Sequence, residues 1–244
     1  MREALTLIEQ ALGKDAPVAN RAAMLNELAL VLNQQGRFAE AEPMLREARR
    51  IALIVYGDNH PEFQRVLLGL SMSVDGQGRV DEGLDLMRQA LAIARDQPSD
   101  QRGLALTLNN LGFRLVREGR HAEAEPLLRE SLATYLSIDP EHPERAAALV
   151  NLGTLLTETD RATEALPLLR EGLALREQTM VAGSWPIEVA RSVLGTCLFA
   201  LNEKEEGLRL LRSAHASLTD AFGPGHRRSM DAERRLRKAE GLTP

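Results

Sequence analysis

Leu108-Asn109-Asn110-Leu111-Gly112, followed by Gly119-Arg120 and then Ala124-Glu125-Pro126-Leu127-Leu128-Arg129-Glu130, is written again further along the chain. The second version is Leu149-Val150-Asn151-Leu152-Gly153, Asp160-Arg161 and Ala165-Leu166-Pro167-Leu168-Leu169-Arg170-Glu171. An earlier version is Leu25-Asn26-Glu27-Leu28-Ala29, Gly36-Arg37 and Ala41-Glu42-Pro43-Met44-Leu45-Arg46-Glu47. Three tracks run through five copies. One small site is Ala29, Ser71, Gly112, Gly153 and Gly195; a turn site is Gly36, Gly78, Gly119, Asp160 and Asn202; a second small site is Ala41, Gly83, Ala124, Ala165 and Gly207. Every track advances by 42, 41, 41 and 42 residues, so the chain is an array of one structural unit.

Each copy reads as two helices. Apolar residues three and four apart precede the turn (Leu108, Leu111, Leu115) and follow it (Leu127, Leu128, Leu132). Gly, Asp and Asn are the residues that tolerate the left-handed backbone closing a helix. Pro43, Pro126 and Pro167 are expected early in the second helix, where a missing N–H costs little. The small sites let neighbouring helices approach closely.

This pattern resembles the tetratricopeptide repeat, in its long-period, kinesin-light-chain-like variety. The linkers Gly57-Asp58-Asn59-His60-Pro61 and Asp139-Pro140-Glu141-His142-Pro143 carry the resemblance further, with Gly223-Pro224-Gly225-His226 and Trp185-Pro186 as looser versions. The resemblance implies an all-α fold, a right-handed α-solenoid of helix–turn–helix units. It divides the chain into a half-repeat helix at 1–15 and repeats at 16–59, 60–100, 101–141, 142–184 and 185–225, with a capping helix at 226–244. Arg237 falls on the small-site track of that last helix, where a further helix could not pack, so the array is expected to end there in a polar cap.

Composition agrees and excludes much else. Among 244 residues there are 42 Leu and 32 Ala but only eight aromatics, which leaves no material for a β core. The net charge of −5, with both signs interspersed, provides no global field for nucleic acid or an anionic membrane. One cysteine, Cys197, rules out an internal disulfide and fits a reducing, cytoplasmic setting. No run approaches the ~18 uninterrupted apolar residues of a membrane span. The strong preference for Arg over Lys suggests a bacterial chain.

Catalytic constellations are missing from the pattern. His60, His142 and His226 recur at linkers, which favours turn-bonding over metal ligation, and Cys197 lies in an apolar helical run as a buried thiol. The pairs Glu40/Glu42 and Glu123/Glu125 open second helices, where negative charge suits the helix dipole and faces water. The basic run Arg227, Arg228, Arg234, Arg235, Arg237 and Lys238, interrupted by Asp231 and Glu233, reads as a solvated helix. No catalytic residue, metal or cofactor is therefore expected.

What remains is a surface. In a stack of helix pairs the first helices line a groove suited to an extended peptide. Its expected lining is Asn26, Leu30 and Asn33 from the first copy and Arg65, Met72 and Asp75 from the second. The third supplies Asn109, Asn110, Phe113 and Arg117, the fourth Asn151, Thr154 and Glu158, and the fifth Thr196 and Phe199. An Asn amide both donates to and accepts from a peptide backbone, and the resemblance implies that role for Asn109, Asn110 and Asn151. The alternative is that these amides bond between adjacent helices. The chaperone-tail clamp needs Lys and Asn where this chain has Asn26 and Leu30, so that specificity is not expected. The expected function is a non-enzymatic, monomeric protein-interaction module that binds a peptide or protein segment. The alternative is the sensory or substrate-recruiting arm of a larger bacterial signalling enzyme.

Overall fold

A computed structural model describes residues 18–242, so the half-repeat expected at 1–15 lies outside the described residues. Among the described residues the chain forms eleven helices. They are α1 (Val18–Gln34), α2 (Phe38–Tyr56), α3 (Pro61–Gly76), α4 (Val80–Arg95), α5 (Gln101–Arg117), α6 (His121–Ile138), α7 (Arg145–Glu158), α8 (Ala162–Thr179), α9 (Trp185–Ala200), α10 (Lys204–Phe222) and α11 (Arg227–Ala239). Contacts divide the chain into two compact units, Met1–Thr107 and Leu108–Pro244.

In the first unit α1 packs on α2, α2 on α3 and α3 on α4, and α1 also packs on α3. Its core is a cluster that includes Leu25, Ala29, Leu45, Leu67, Leu70 and Val74. In the second unit the helices from α6 to α11 again pack in sequence, with α7 also on α9 and α9 on α11. The recurring leucines Leu108, Leu128, Leu149, Leu152, Leu169 and Leu211 are buried there. Each side chain withdrawn from water contributes roughly 1.5–3 kcal/mol.

The turn track does what its residue types suggest. Gly36, Gly78, Gly119, Asp160 and Asn202 all have positive φ, between 58° and 83°. In every one of these turns the next residue's N–H closes back on a carbonyl five residues earlier, from Arg37 N to Leu32 O at 2.9 Å through to Glu203 N to Leu198 O at 2.9 Å. This Schellman-type closure satisfies helix-end carbonyls and reverses the chain.

The small sites hold the crossing points. A Cβ at Gly112 would lie 2.7 Å from Leu128 Cγ, and one at Gly153 would lie 2.5 Å from Leu169 Cδ2. Gly195 and Gly207 face each other through their backbones, since a Cβ on either would lie 2.8 Å from the other's carbonyl oxygen.

Two expectations are corrected. Pro43, Pro126 and Pro167 each stand sixth in their helices, beyond the first four residues whose N–H groups are free anyway. Each therefore removes a helical hydrogen bond. The residues four earlier, Ala39, Ala122 and Thr163, are exposed, so water can reach the carbonyls left without a donor.

The second correction concerns the glutamate pairs, whose members differ. Glu40 and Glu123 face solvent and pair with Arg37 and Arg120, both at 2.7 Å. Glu42 instead reaches into the next copy, where its carboxylate accepts from Arg79, and from Gln77 at 2.8 Å. Arg46 bridges Glu42 and Glu82, each at 2.8 Å. The second unit repeats the device, with Arg161 on Glu125 at 2.9 Å and Arg129 on Glu125 at 2.8 Å. A ladder of alternating charge thus joins successive second helices.

Glu42 is only 15% exposed. Arg79 holds its carboxyl down at about 2, against the opposing effect of partial burial and with help from Gln77 and Arg46. A depressed carboxyl stabilises the fold fully above its unfolded value and loses that effect as pH falls towards the folded value. Glu42→Gln is therefore expected to cost about 1 kcal/mol at pH 7. The gap between variant and parent melting temperatures should close as pH falls from about 4.5 towards 2. A constant gap from pH 7 to pH 2 contradicts the ladder.

Candidate peptide-binding face

The first helices of each copy carry the expected lining, but the packing divides it. In the first unit Asn33 is buried and joins α1 to α3. Its Nδ2 donates to Gly69 O at 3.0 Å, and its Oδ1 accepts from Ser73 Oγ at 2.8 Å. Asn26 is 2% exposed and faces the open α-carbon of Gly69, as Leu30 does from a half-buried position. Asp75 is turned towards Gly83 at the start of α4. Arg65 is exposed and pairs with Glu62 at 3.0 Å, and Met72 stands 43% exposed. Leu28, Val31 and Leu106, absent from the expected lining, are exposed apolar side chains on first helices of this unit.

In the second unit Asn109 is 6% exposed, and its Oδ1 accepts from Asn151 Nδ2 at 2.9 Å. That amide pair ties α5 to α7, which is the alternative the sequence left open. Thr154 and Thr196 turn their hydroxyls onto their own helices, donating to Val150 O and Ser192 O. Phe199 packs at the approach of Gly207, with Lys204 Nζ 5.9 Å from its ring. Glu158 receives His121 Nε2 at 3.1 Å, a partner that no helical period would announce. Asn110, Phe113 and Arg117 remain at i, i+3 and i+7 along α5. Asn110 is half-buried, Phe113 is 38% exposed and Arg117 is exposed.

The linker histidines serve the fold. Nδ1 of His60, His142 and His226 accepts from the backbone N–H two residues on, at 3.1, 3.3 and 3.2 Å. Each ring also packs on an aromatic four or seven residues earlier: Tyr56 at 4.6 Å, Tyr135 at 5.3 Å and Phe222 at 4.5 Å. Cys197 is buried with Sγ 3.3 Å from Ala162 O, and burial pushes its thiol up. The basic run of α11 is not uniformly solvated. Arg228 lies 3.9 Å from the ring centroid of Trp185, and Arg235 is half-buried. A depression of about 250 Å³ on α2 is lined by Arg46, Arg49, Arg50 and Leu53. It is open, belongs to a second helix and adjoins the ion-paired Arg46 and Arg50.

A family model described as tetratricopeptide repeat matches residues 20–96, 63–137 and 103–178 in overlapping copies. The chain belongs to the tetratricopeptide repeat family. Such repeats are generally modules of protein–protein interaction. A search of curated protein sequences found no match. Among solved structures, the Podosopora anserina putative kinesin light chain with nearly identical TPR-like repeats is similar at 23% identity. Its TM-score is 0.65, with 84% of this chain and 98% of that one covered. BtubC (BKLC) from P. vanneervenii is similar at 21% identity and TM-score 0.71, covering 91% and 89%. Pseudomonas aeruginosa pilF is similar at 22% identity and TM-score 0.58, covering 92% and 86%. These likenesses show a common tetratricopeptide fold. Among the described residues, no helix of this tetratricopeptide chain is long and apolar enough to cross a membrane.

Proposed function

We propose that the chain is a non-enzymatic, monomeric, cytoplasmic interaction module that binds an extended peptide segment along its first helices. The repeats divide as the sequence period suggests, and Asn110, Phe113 and Arg117, the groove residues left at the surface of α5, serve as its binding wall. The observation that carries the reading is the strip Asn110, Phe113 and Arg117 on α5. An aromatic ring 38% exposed, flanked by an amide and a guanidinium, offers an apolar anchor between two polar contacts. Asn109 and Asn33 are hydrogen-bonded inside the fold and Asn26 is buried, so among these asparagines Asn110 is the one best suited to a ligand backbone.

The test is selection of binders from a displayed library of 12-residue peptides, followed by titration against the parent and the Asn110→Ala and Phe113→Ala variants. Phe113→Ala is expected to weaken affinity roughly 30-fold and Asn110→Ala about 10-fold, with melting temperatures unchanged. Unaltered affinity in both variants would overturn the proposed face.

A further inference from the structure

Two turns of the second unit meet at one edge and put apolar side chains into water there. Met180 caps α8, and Val181 follows it in the turn that ends at Trp185, where α9 begins. Val181 is 83% exposed, and Met180 and Trp185 are exposed beside it in the chain. Phe222, the exposed last residue of α10, opens the second turn. Arg228 joins the two, since its guanidinium carbon lies 3.9 Å from the ring centroid of Trp185 and 5.2 Å from that of Phe222. From this edge α11 carries a basic stripe. Its exposed side chains are Arg227, Met230, Arg234, Arg237 and Lys238, a spacing that keeps to one side of a helix. The buried Ser229 and Ala232 take the opposite side. Six basic residues against two acidic ones give α11 a positive excess in a chain whose net charge is −5.

We propose that this edge and the α11 stripe dock on an anionic lipid surface, with Val181 and Trp185 entering the interfacial layer and the cations of α11 facing the headgroup phosphates. The surface is separate from the peptide strip on α5. A side chain as exposed as Val181 projects from its turn, a shape that suits insertion among lipid headgroups. Indole and guanidinium groups combine an apolar body with a polar edge, and both settle at the boundary between water and hydrocarbon. Each Lys or Arg held near an anionic leaflet adds attraction within a Debye length. Apolar insertion and charge attraction together give reversible docking where either one alone is marginal. A nucleic acid would meet the same cations, but its bases stack on open ring faces. Here Arg228 lies over Trp185, and His226 stacks on Phe222 at 4.5 Å, so each ring already has a face covered.

Trp185 is the only tryptophan in the sequence, so its fluorescence reports on this edge alone. On titration with mixed phosphatidylserine–phosphatidylcholine vesicles its emission should shift to the blue and be quenched by lipids brominated high in the acyl chain. Rising salt should reverse both effects, and vesicles of phosphatidylcholine alone should leave the spectrum unchanged. Co-sedimentation with the anionic vesicles then ranks the variants. Val181→Asp should weaken partition about tenfold, and the double variant Arg234→Gln with Lys238→Gln about twentyfold. Ile54→Asp, at an exposed apolar position on α2, should change nothing. Val181 lies in an exposed turn, so its variant reads docking with the fold intact. No spectral change with anionic vesicles, an equal change with phosphatidylcholine alone, or no effect of either variant overturns the proposal. Binding of a labelled single-stranded oligothymidylate without vesicle partition overturns it in favour of a nucleic acid. Binding of labelled octa-glutamate without vesicle partition overturns it in favour of an acidic protein segment.

Discussion

Gly207→Ala is expected to destabilise the second unit by a net ~2 kcal/mol, and Gly195→Ala by a similar amount. A methyl on Gly207 would stand 2.8 Å from Gly195 O and 2.9 Å from Phe199 N, both backbone atoms. Backbone cannot swing aside as a side chain can, and α9 is held on its other sides by α8, α7 and α11. The helix-propensity gain of ~1 kcal/mol from replacing Gly offsets only part of that clash. Gly112→Ala is the informative contrast. Its methyl would meet Leu128 Cγ and Cδ2, atoms of a side chain with rotamer freedom. The first two copies already carry Ala29 and Ser71 on that track. Gly112→Ala should therefore lie within ~1 kcal/mol of neutral. Urea unfolding followed by circular dichroism separates the two, and equal midpoints for Gly207→Ala and Gly112→Ala would contradict the backbone contact.

Tyr135→Ala is expected to cost ~3–5 kcal/mol, the largest loss among the linker aromatics. Tyr135 is 1% exposed and is among the largest fully buried side chains. It supports His142, whose Nδ1 in turn accepts from Glu144 N at the entry to α7. Removing the ring leaves a cavity and also loosens the turn that starts the next helix. Phe222 occupies the matching place before His226 but is 37% exposed, so much of its surface meets water already. Phe222→Ala should cost only ~1–1.5 kcal/mol, in proportion to the apolar area withdrawn. Thermal melts of both variants in one buffer give the comparison, and a larger shift for Phe222→Ala would reverse this ranking.

How far the face could be read from sequence is clearest at Asn109 and Asn110. They are neighbours, yet a rotation of about 100° per residue sends one into the α5–α7 contact and leaves the other half-buried on the strip. A repeat period identifies the helix and its core side, but a step of one residue decides between a buried bond and a surface contact. The same holds at Glu40 and Glu42, where the second residue crosses to Arg79 of the following copy. Prolines at 43, 126 and 167 show a different limit. Their recurrence is plain in the sequence, but their depth in the helix depends on where the turn releases the chain. His121 with Glu158 brings together residues from different copies and follows no local pattern.

The sequence by itself determined the repeat, the two helices of each copy, the left-handed turn residues and the small sites, because each depends on local backbone preference and on periodic apolar spacing. Only the tertiary structure decided which polar side chains are consumed between helices and which remain for a ligand. That choice depends on the rotation of one helix against the next, which brings together side chains some 40 residues apart.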